Sequence, residues 1–281
     1  MVGRRGFVAR TLGLYLPLSL FLILMLFPFY WMLVTSIKPN RELYSARIMP
    51  LMVYQPTLKH YVDLLTQTNF LTWTYNTFLV ATVSTVVSLV LGTMIAYPLA
   101  RMNFPGAAIV AIGVAATYLV PQPLLFIPMA DIINKLDLGN TLQAVMLTYP
   151  TLLIPFSAWL LMGYFKSVPR ELEEAARIDG AGRFQAMTRI VLPLCTPGLL
   201  SAGIFAFTLA QNEFLYALIF LAKSDVRTVP VGAITELIRG DVFYWGQLMA
   251  AALLGSIPVA LIYSFFVEYY VAGLTAGSVK S

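Results

Sequence analysis

Ser167-Val-Pro-Arg-Glu-Leu-Glu-Glu-Ala-Ala-Arg-Ile-Asp-Gly-Ala-Gly-Arg183, running on to Ile190-Val-Leu-Pro193, is a polar segment between two apolar stretches. The chain around it belongs in a bilayer. Its 281 residues are 59% hydrophobic and 11% charged, where soluble domains average about 45–50% and about 25%. Mean hydropathy is +0.79. A charged helix held between two spans cannot enter lipid, so it faces water and is free to meet a soluble partner.

Local chemistry predicts two helical pieces in the 167–193 segment. Ser167 can cap the first, and Pro169 suits its first turn. Glu171, Glu173 and Glu174 follow where the helix dipole favours negative charge. Gly180 is placed to end the helix after about three turns. Ala175 and Ala176 leave its middle flat for close approach by another surface. In the second piece, Phe184, Met187 and Val191 share a face at helical spacing, with Arg183 and Arg189 left for water or headgroups.

Six apolar blocks lie near residues 12–36, 76–100, 107–130, 142–163, 198–221 and 247–271. Each is long enough to cross about 30 Å of hydrocarbon at about 1.5 Å per residue. Alternating polar-in strands are absent, so the expected fold is an all-α polytopic membrane protein: one six-span domain over residues 1–281, with outside loops 37–75 and 222–246. The basic residues Arg4, Arg5, Arg10, Arg101, Lys166, Arg170, Arg177, Arg183 and Arg189 favour the 167–193 loop and both termini inside. The 37–75 loop is expected to form short helices on the membrane surface. Trp73 and Tyr75 suit interface anchoring.

Other chemistry finds no apparatus. There is no G-x-x-x-x-G-K-[ST] phosphate loop, no G-x-S-x-G, and a single histidine, His60, expected at the surface. The one cysteine, Cys195, excludes an internal disulfide and a Cys-rich zinc site, and is expected as a packed small residue. The net charge of +5 is scattered, against nucleic-acid binding. Ionisable groups in spans mark function by default. Gln211, Asn212 and Glu213 form a polar triplet that lines a path, holds helices together, or sits near an interface. Gln122, within Pro121-Gln122-Pro123, marks a bent or broken helix and a second path candidate.

The spacing Glu174-Ala175-Ala176, then Gly180, then Ile190-x-Leu192-Pro193 resembles the cytoplasmic signature loop of permease subunits of ABC importers. Val271-Ala-Gly-Leu-Thr-Ala-Gly-Ser-Val-Lys280 is similar to the terminal signature of maltose-type carbohydrate permeases. Asn76-Thr-Phe-Leu-Val-Ala81 and Ala96-Tyr-Pro-Leu-Ala-Arg101 resemble that family's second span, and Asn212-Glu-Phe-Leu-Tyr-Ala217 its fifth. The subunit resembled is the smaller, six-span partner of the permease pair, of type I importer fold.

That resemblance implies a non-catalytic subunit of the bacterial inner membrane, carrying a disaccharide or short oligosaccharide such as maltose or trehalose. Its implied partners are a second permease, two ATPase subunits that bind ATP and Mg, an extracytoplasmic sugar-binding protein, and membrane lipid. Coupling to the ATPase is implied for Glu171, Glu173, Glu174, Ala175, Ala176, Ile178, Asp179, Gly180, Arg183, Leu192 and Pro193, with the tail 273–281 also reaching it. Binding-protein contact is implied for the outside loop bearing Asp225, Arg227, Glu236, Arg239 and Asp241. Two rivals remain: an ABC permease for a non-sugar solute, and an ion-coupled secondary transporter. The latter usually shows inverted repeats and charges within spans, neither prominent here.

Overall fold

The structure, a computed structural model, describes residues 11–45 and 49–275, with side chains described as far as Glu268. Arg4, Arg5, Arg10, Arg47, Lys280 and the tail beyond Thr275 lie outside these residues. The helices used below are α1 Leu16–Ile37, α2 Lys59–Gln67, α3 Phe70–Arg101, α4 Ala107–Tyr118, α5 Gln122–Lys135, α6 Leu142–Thr148, α7 Pro150–Ser167, α8 Arg170–Ile178, α9 Thr196–Asn212, α10 Leu215–Phe220, α11 Val229–Leu237 and α12 Trp245–Thr275. The two-residue strands β1 Ile238–Arg239 and β2 Val242–Phe243 pair antiparallel.

Four of the described helical segments are long and apolar enough to cross a bilayer: Thr11–Ile37, Phe70–Arg101, Leu142–Ser167 and Trp245–Glu268. Two bent pairs raise the number to six if each is one span. The block at 107–130 is not straight: α4 and α5 meet at 95°. Pro121 supplies no amide hydrogen and Pro123 follows, so the helical ladder cannot run through. The other bent pair is Arg183–Leu194 with α9, at 79°, and the block at 198–221 differs from expectation as well. Its helix α9 ends at Asn212 and restarts as α10 after Glu213 and Phe214.

Contacts divide the chain into two units, residues 1–70 with 233–257 and residues 71–232 with 258–281. In the first, α1 leaves almost its whole apolar surface exposed, burying Val34, Thr35 and Ser36. The loop beyond it is tied by buried polar groups. The Lys38 ammonium donates to the Met49 and Pro50 carbonyls at 3.1 and 2.6 Å. The Glu42 carboxylate accepts from the Tyr54 and Gln55 amides. His60 is buried, against the surface position expected for it: its Nε2 lies 2.7 Å from the Lys38 carbonyl. The α-carbon of Gly246 packs so tightly on its ring that a methyl there would fall 2.3 Å from Cδ2.

The second unit holds two apolar clusters. One gathers Val80, Val145, Tyr149, Leu153, Phe207, Tyr216 and Leu221 from α3, α6, α7, α9 and α10. The other joins Tyr97 and Ala100 of α3 to Leu161 and Phe165 of α7, together with Met187, Val191 and Cys195. Small residues set the spacing, as expected where lipid gives helices no hydrophobic drive to associate. A methyl on Gly92 would stand 3.1 Å from Ser157 Cβ. One on Gly198 would overlap the Tyr164 ring at 2.3 Å. Trp73, expected at an interface, is wholly buried, and a methyl on Gly232 would overlap its indole at 2.3 Å.

Candidate functional site

The 167–193 segment folds as a short helix, α8, followed by a second helical stretch. Ser167 does not cap α8; its hydroxyl donates back to the Tyr164 carbonyl at 2.8 Å and belongs to the end of α7. Pro169 takes the cap position with no side-chain bond. At the other end Gly180 adopts φ +90°. The Gly180 amide donates to the Arg177 carbonyl and the Ala181 amide to that of Ala176, at 3.1 and 2.9 Å. This is the paired closure of a helix ending in a left-handed glycine. The second stretch runs as Arg183–Ala186, then a wider π-type turn Met187–Val191, then Leu192–Leu194.

The three glutamates of α8 have different surroundings. Glu171 and Glu174 are exposed, while Glu173 turns inward. Its Oε1 accepts from the Tyr97 hydroxyl at 2.5 Å, and its Oε2 lies 3.1 Å from Nε of Arg101. The side chains of Arg101 and Glu173 are 2% and 15% exposed. Arg101 also donates to the Val168 carbonyl at 2.8 Å and to that of Pro169 at 3.4 Å. The C-terminal end of α3 therefore grips α8 and the turn that precedes it. Charge-assisted bonds of this kind are about twice as strong as neutral ones.

The opposite face of α8 is open. Ile178 is 86% exposed and Leu172 is 45% exposed, beside the small Ala175. Phe184 is 73% exposed, so it does not share the buried face that Met187 and Val191 form. Glu174, Arg177, Ile178, Ala181, Gly182 and Arg183 line a cleft of about 670 Å³ between the two pieces. Asp179 and Pro193 are exposed and Leu192 is half-buried. Ile178, Leu172 and Phe184 thus leave apolar side chains uncovered on a segment too polar for lipid.

A second feature lies within the spans. A cavity of about 640 Å³ is bounded by the α4–α5 break, the start of α7 and the α9–α10 break. Gln122 and the adjacent Asn212 and Glu213 all line it, so two candidates far apart in sequence come together; Gln211 is not among the lining residues. Glu213 is buried, and its oxygens accept from the Tyr216 and Ala217 amides at 2.9 and 3.2 Å, capping α10. Asn212 Nδ2 donates to the Thr208 carbonyl at 2.9 Å. Thr117, Tyr118, Tyr149, Thr151 and Thr208 complete the polar lining. Sequence reading missed these five, because single hydroxyls inside apolar runs carry no distinguishing spacing.

The loop residues divide between the two units. Asp225 is exposed and Arg227 half-buried, its guanidinium donating to the Ala222 carbonyl at 2.6 Å. In the other unit Arg239 and Asp241 are exposed at the β1–β2 hairpin, whose turn carries Gly240 at φ +59°. Arg239 Nε donates to the Glu236 carbonyl at 3.1 Å, and its guanidinium lies 5.9 Å from the Tyr244 ring centroid.

Comparison with known proteins adds a family to this geometry. The profile of the binding-protein-dependent transport system inner membrane component matches residues 88–275. The chain is 38% identical over 276 residues to the inner membrane ABC transporter permease protein YcjP of Escherichia coli, covering 96% of this chain and 98% of that protein. It is 36% identical to the trehalose/maltose transport system permease protein MalG of Thermococcus litoralis, covering 97% and 98%. It is 37% identical to the sulfoquinovosyl glycerol transport system permease protein SmoH of Agrobacterium fabrum, covering 95% and 93%. In fold it is similar to a chain of a bacterial ABC transporter involved in alginate import, with TM-score 0.79 at 21% identity over 95% of this chain and 98% of that one. The exposed α8 and the cavity thus sit in a membrane-spanning, non-catalytic transport subunit, and the chain belongs to the family of inner membrane components of binding-protein-dependent transport systems.

Proposed function

We propose that this chain is the smaller permease of an ATP-driven importer, carrying a disaccharide or short oligosaccharide such as maltose or trehalose across the inner membrane. The observation that carries the proposal is the two-faced α8: Glu173 is bound to the permease's own α3, while Ile178, Leu172 and neighbouring Phe184 are bare to the solvent. That open face, with Glu171, Glu174, Ala175, Ala176, Asp179, Gly180 and Arg183, receives the ATPase. ATP and Mg bind on two such ATPase subunits, and both termini of this chain lie in the cytoplasm.

Sugar cargo is supported by the relatives, whose names include trehalose/maltose and sulfoquinovosyl glycerol permeases. It is also supported by the hydroxyl- and amide-rich cavity, whose volume of about 640 Å³ suits a small ligand, since such pockets span about 300–1,000 Å³. A second permease completes the path. The outside residues Asp225, Arg227, Glu236, Arg239 and Asp241 meet the sugar-binding protein.

Glu174→Lys reverses a charge on the docking face, and Gly180→Pro forbids the positive φ that closes α8. Both variants are expected to insert normally and to abolish sugar uptake in proteoliposomes containing the full transporter. Uptake at the unaltered rate in both would overturn the docking role. Calorimetric titration of the binding protein with maltose and trehalose identifies the cargo; a protein that binds neither, and no other sugar, would remove the sugar assignment.

A further inference from the structure

Two motifs at opposite ends of α3, Asn76–Ala81 and Ala96–Arg101, have no assigned task beyond their resemblance to a second span. The inner end holds α8 through Tyr97, Arg101 and Glu173. The outer end makes a matching set of half-buried bonds. The Asn76 amide donates to the Asp225 and Arg227 carbonyls at 2.9 and 3.0 Å. The Trp73 indole donates to the Ser224 carbonyl at 2.8 Å, and the Val229 amide donates to the Thr77 hydroxyl at 2.8 Å. Asn76, Thr77 and Trp73 are all buried. The loop backbone from Ser224 to Val229 therefore hangs on one turn of α3.

Asn76 and Arg101 stand about 37 Å apart along one continuous helix, at about 1.5 Å per residue. The helix is continuous from Phe70 to Arg101, with Pro98 inside it next to Tyr97, and side-chain bonds at both ends bind a loop at one and α8 at the other. We infer that α3 is a strut that delivers displacement of α8 to the Ser224–Val229 loop, with Asn76 and Tyr97 as the positioning residues at its ends. The inference rests on the reading that α8 docks an ATPase. It adds which span carries the motion outward, and through which side chains. The loop reached in this way includes Asp225 and Arg227, the residues proposed to meet the binding protein, so the strut gives nucleotide state a route to cargo release.

The test uses the complete transporter in proteoliposomes, with Asp225→Cys as a reporter. Asp225 is exposed, the contact from Asn76 is to its backbone carbonyl, and the single native thiol, Cys195, is buried. Labelling by a membrane-impermeant maleimide is timed without nucleotide and after trapping with ATP, Mg and vanadate. The two rates are expected to differ by about fivefold or more, the lower end of ordinary allosteric coupling. Asn76→Ala and Tyr97→Phe are each expected to bring the ratio to about one, with basal ATP hydrolysis retained in Asn76→Ala, whose lost bonds are to the loop and not to α8.

An unchanged ratio in Asn76→Ala overturns the strut. If that variant fails to assemble, Thr77→Val removes a single bond to the same loop, and an unchanged ratio there overturns it equally. A ratio of one in the unaltered transporter also overturns it, while leaving ATPase docking intact. Failure of any ATPase to co-purify with the unaltered chain overturns the docking reading and the strut with it.

Discussion

Glu171, Glu173 and Glu174 show how neighbouring carboxylates acquire different work from burial alone. All three sit in the first half of α8, but only Glu173 has a buried cation and a phenol to meet it. Removing its carboxylate in Glu173→Ala leaves Arg101 buried with carbonyl oxygens alone. Breaking one partner of a buried pair costs about 3–5 kcal/mol, so the variant is expected to lose α8 packing and to be cut faster by trypsin at Arg177. Glu171→Gln is expected to stay within about 0.5 kcal/mol, as surface changes do, with unaltered trypsin resistance. Equal digestion rates for the two variants would contradict the division of labour. Sequence could place all three near the helix start, because dipole and capping rules are local. It could not tell the inward one from the outward two, because Tyr97 and Arg101 arrive from 72 or more positions away.

At the scale of elements, breaks and close contacts matter more than helix propensity. Pro121 and Pro123 made the break between α4 and α5 legible, since proline's missing amide is a local fact. Its 95° angle was not legible, because it depends on what α5 packs against. The split between α9 and α10 had no proline to announce it; the Glu213 carboxylate supplies the cap that lets a new helix begin inside a span. Contact distances separate glycines that the sequence cannot rank. Gly198 abuts Tyr164, whereas nothing lies within 4 Å of a methyl on Gly113. Gly198→Ala must drive the whole Tyr164 ring aside and separate α9 from α7, an overpacking cost of about 1–3 kcal/mol. Gly113→Ala is expected to be neutral or to stabilise by up to about 1 kcal/mol, through better helix propensity. Thermal unfolding of the two variants in detergent checks the contrast, and a Tm for Gly198→Ala at or above that of Gly113→Ala would refute it.

Over the whole molecule, the fold was legible because lipid demands long apolar runs and water demands charge between them. The cavity was legible only in part: Gln122, Asn212 and Glu213 stood out as polar groups in apolar blocks, but nothing in their spacing said that they meet. Their meeting depends on two helix breaks facing the start of α7, a product of tertiary packing. If this cavity is the path, it must be open to solutes and closed by cargo. Cys195 is 1% exposed and Asn212 lies exposed on the cavity wall, so Asn212→Cys gives a reporter with little native background. A small polar thiol reagent is expected to label that variant and spare the unaltered chain. Sugar present at about ten times its Kd should slow labelling about tenfold, since only the unoccupied fraction reacts. Protection should vanish with a sugar that the binding protein rejects. Labelling at one rate with and without cargo would take the cavity out of the path.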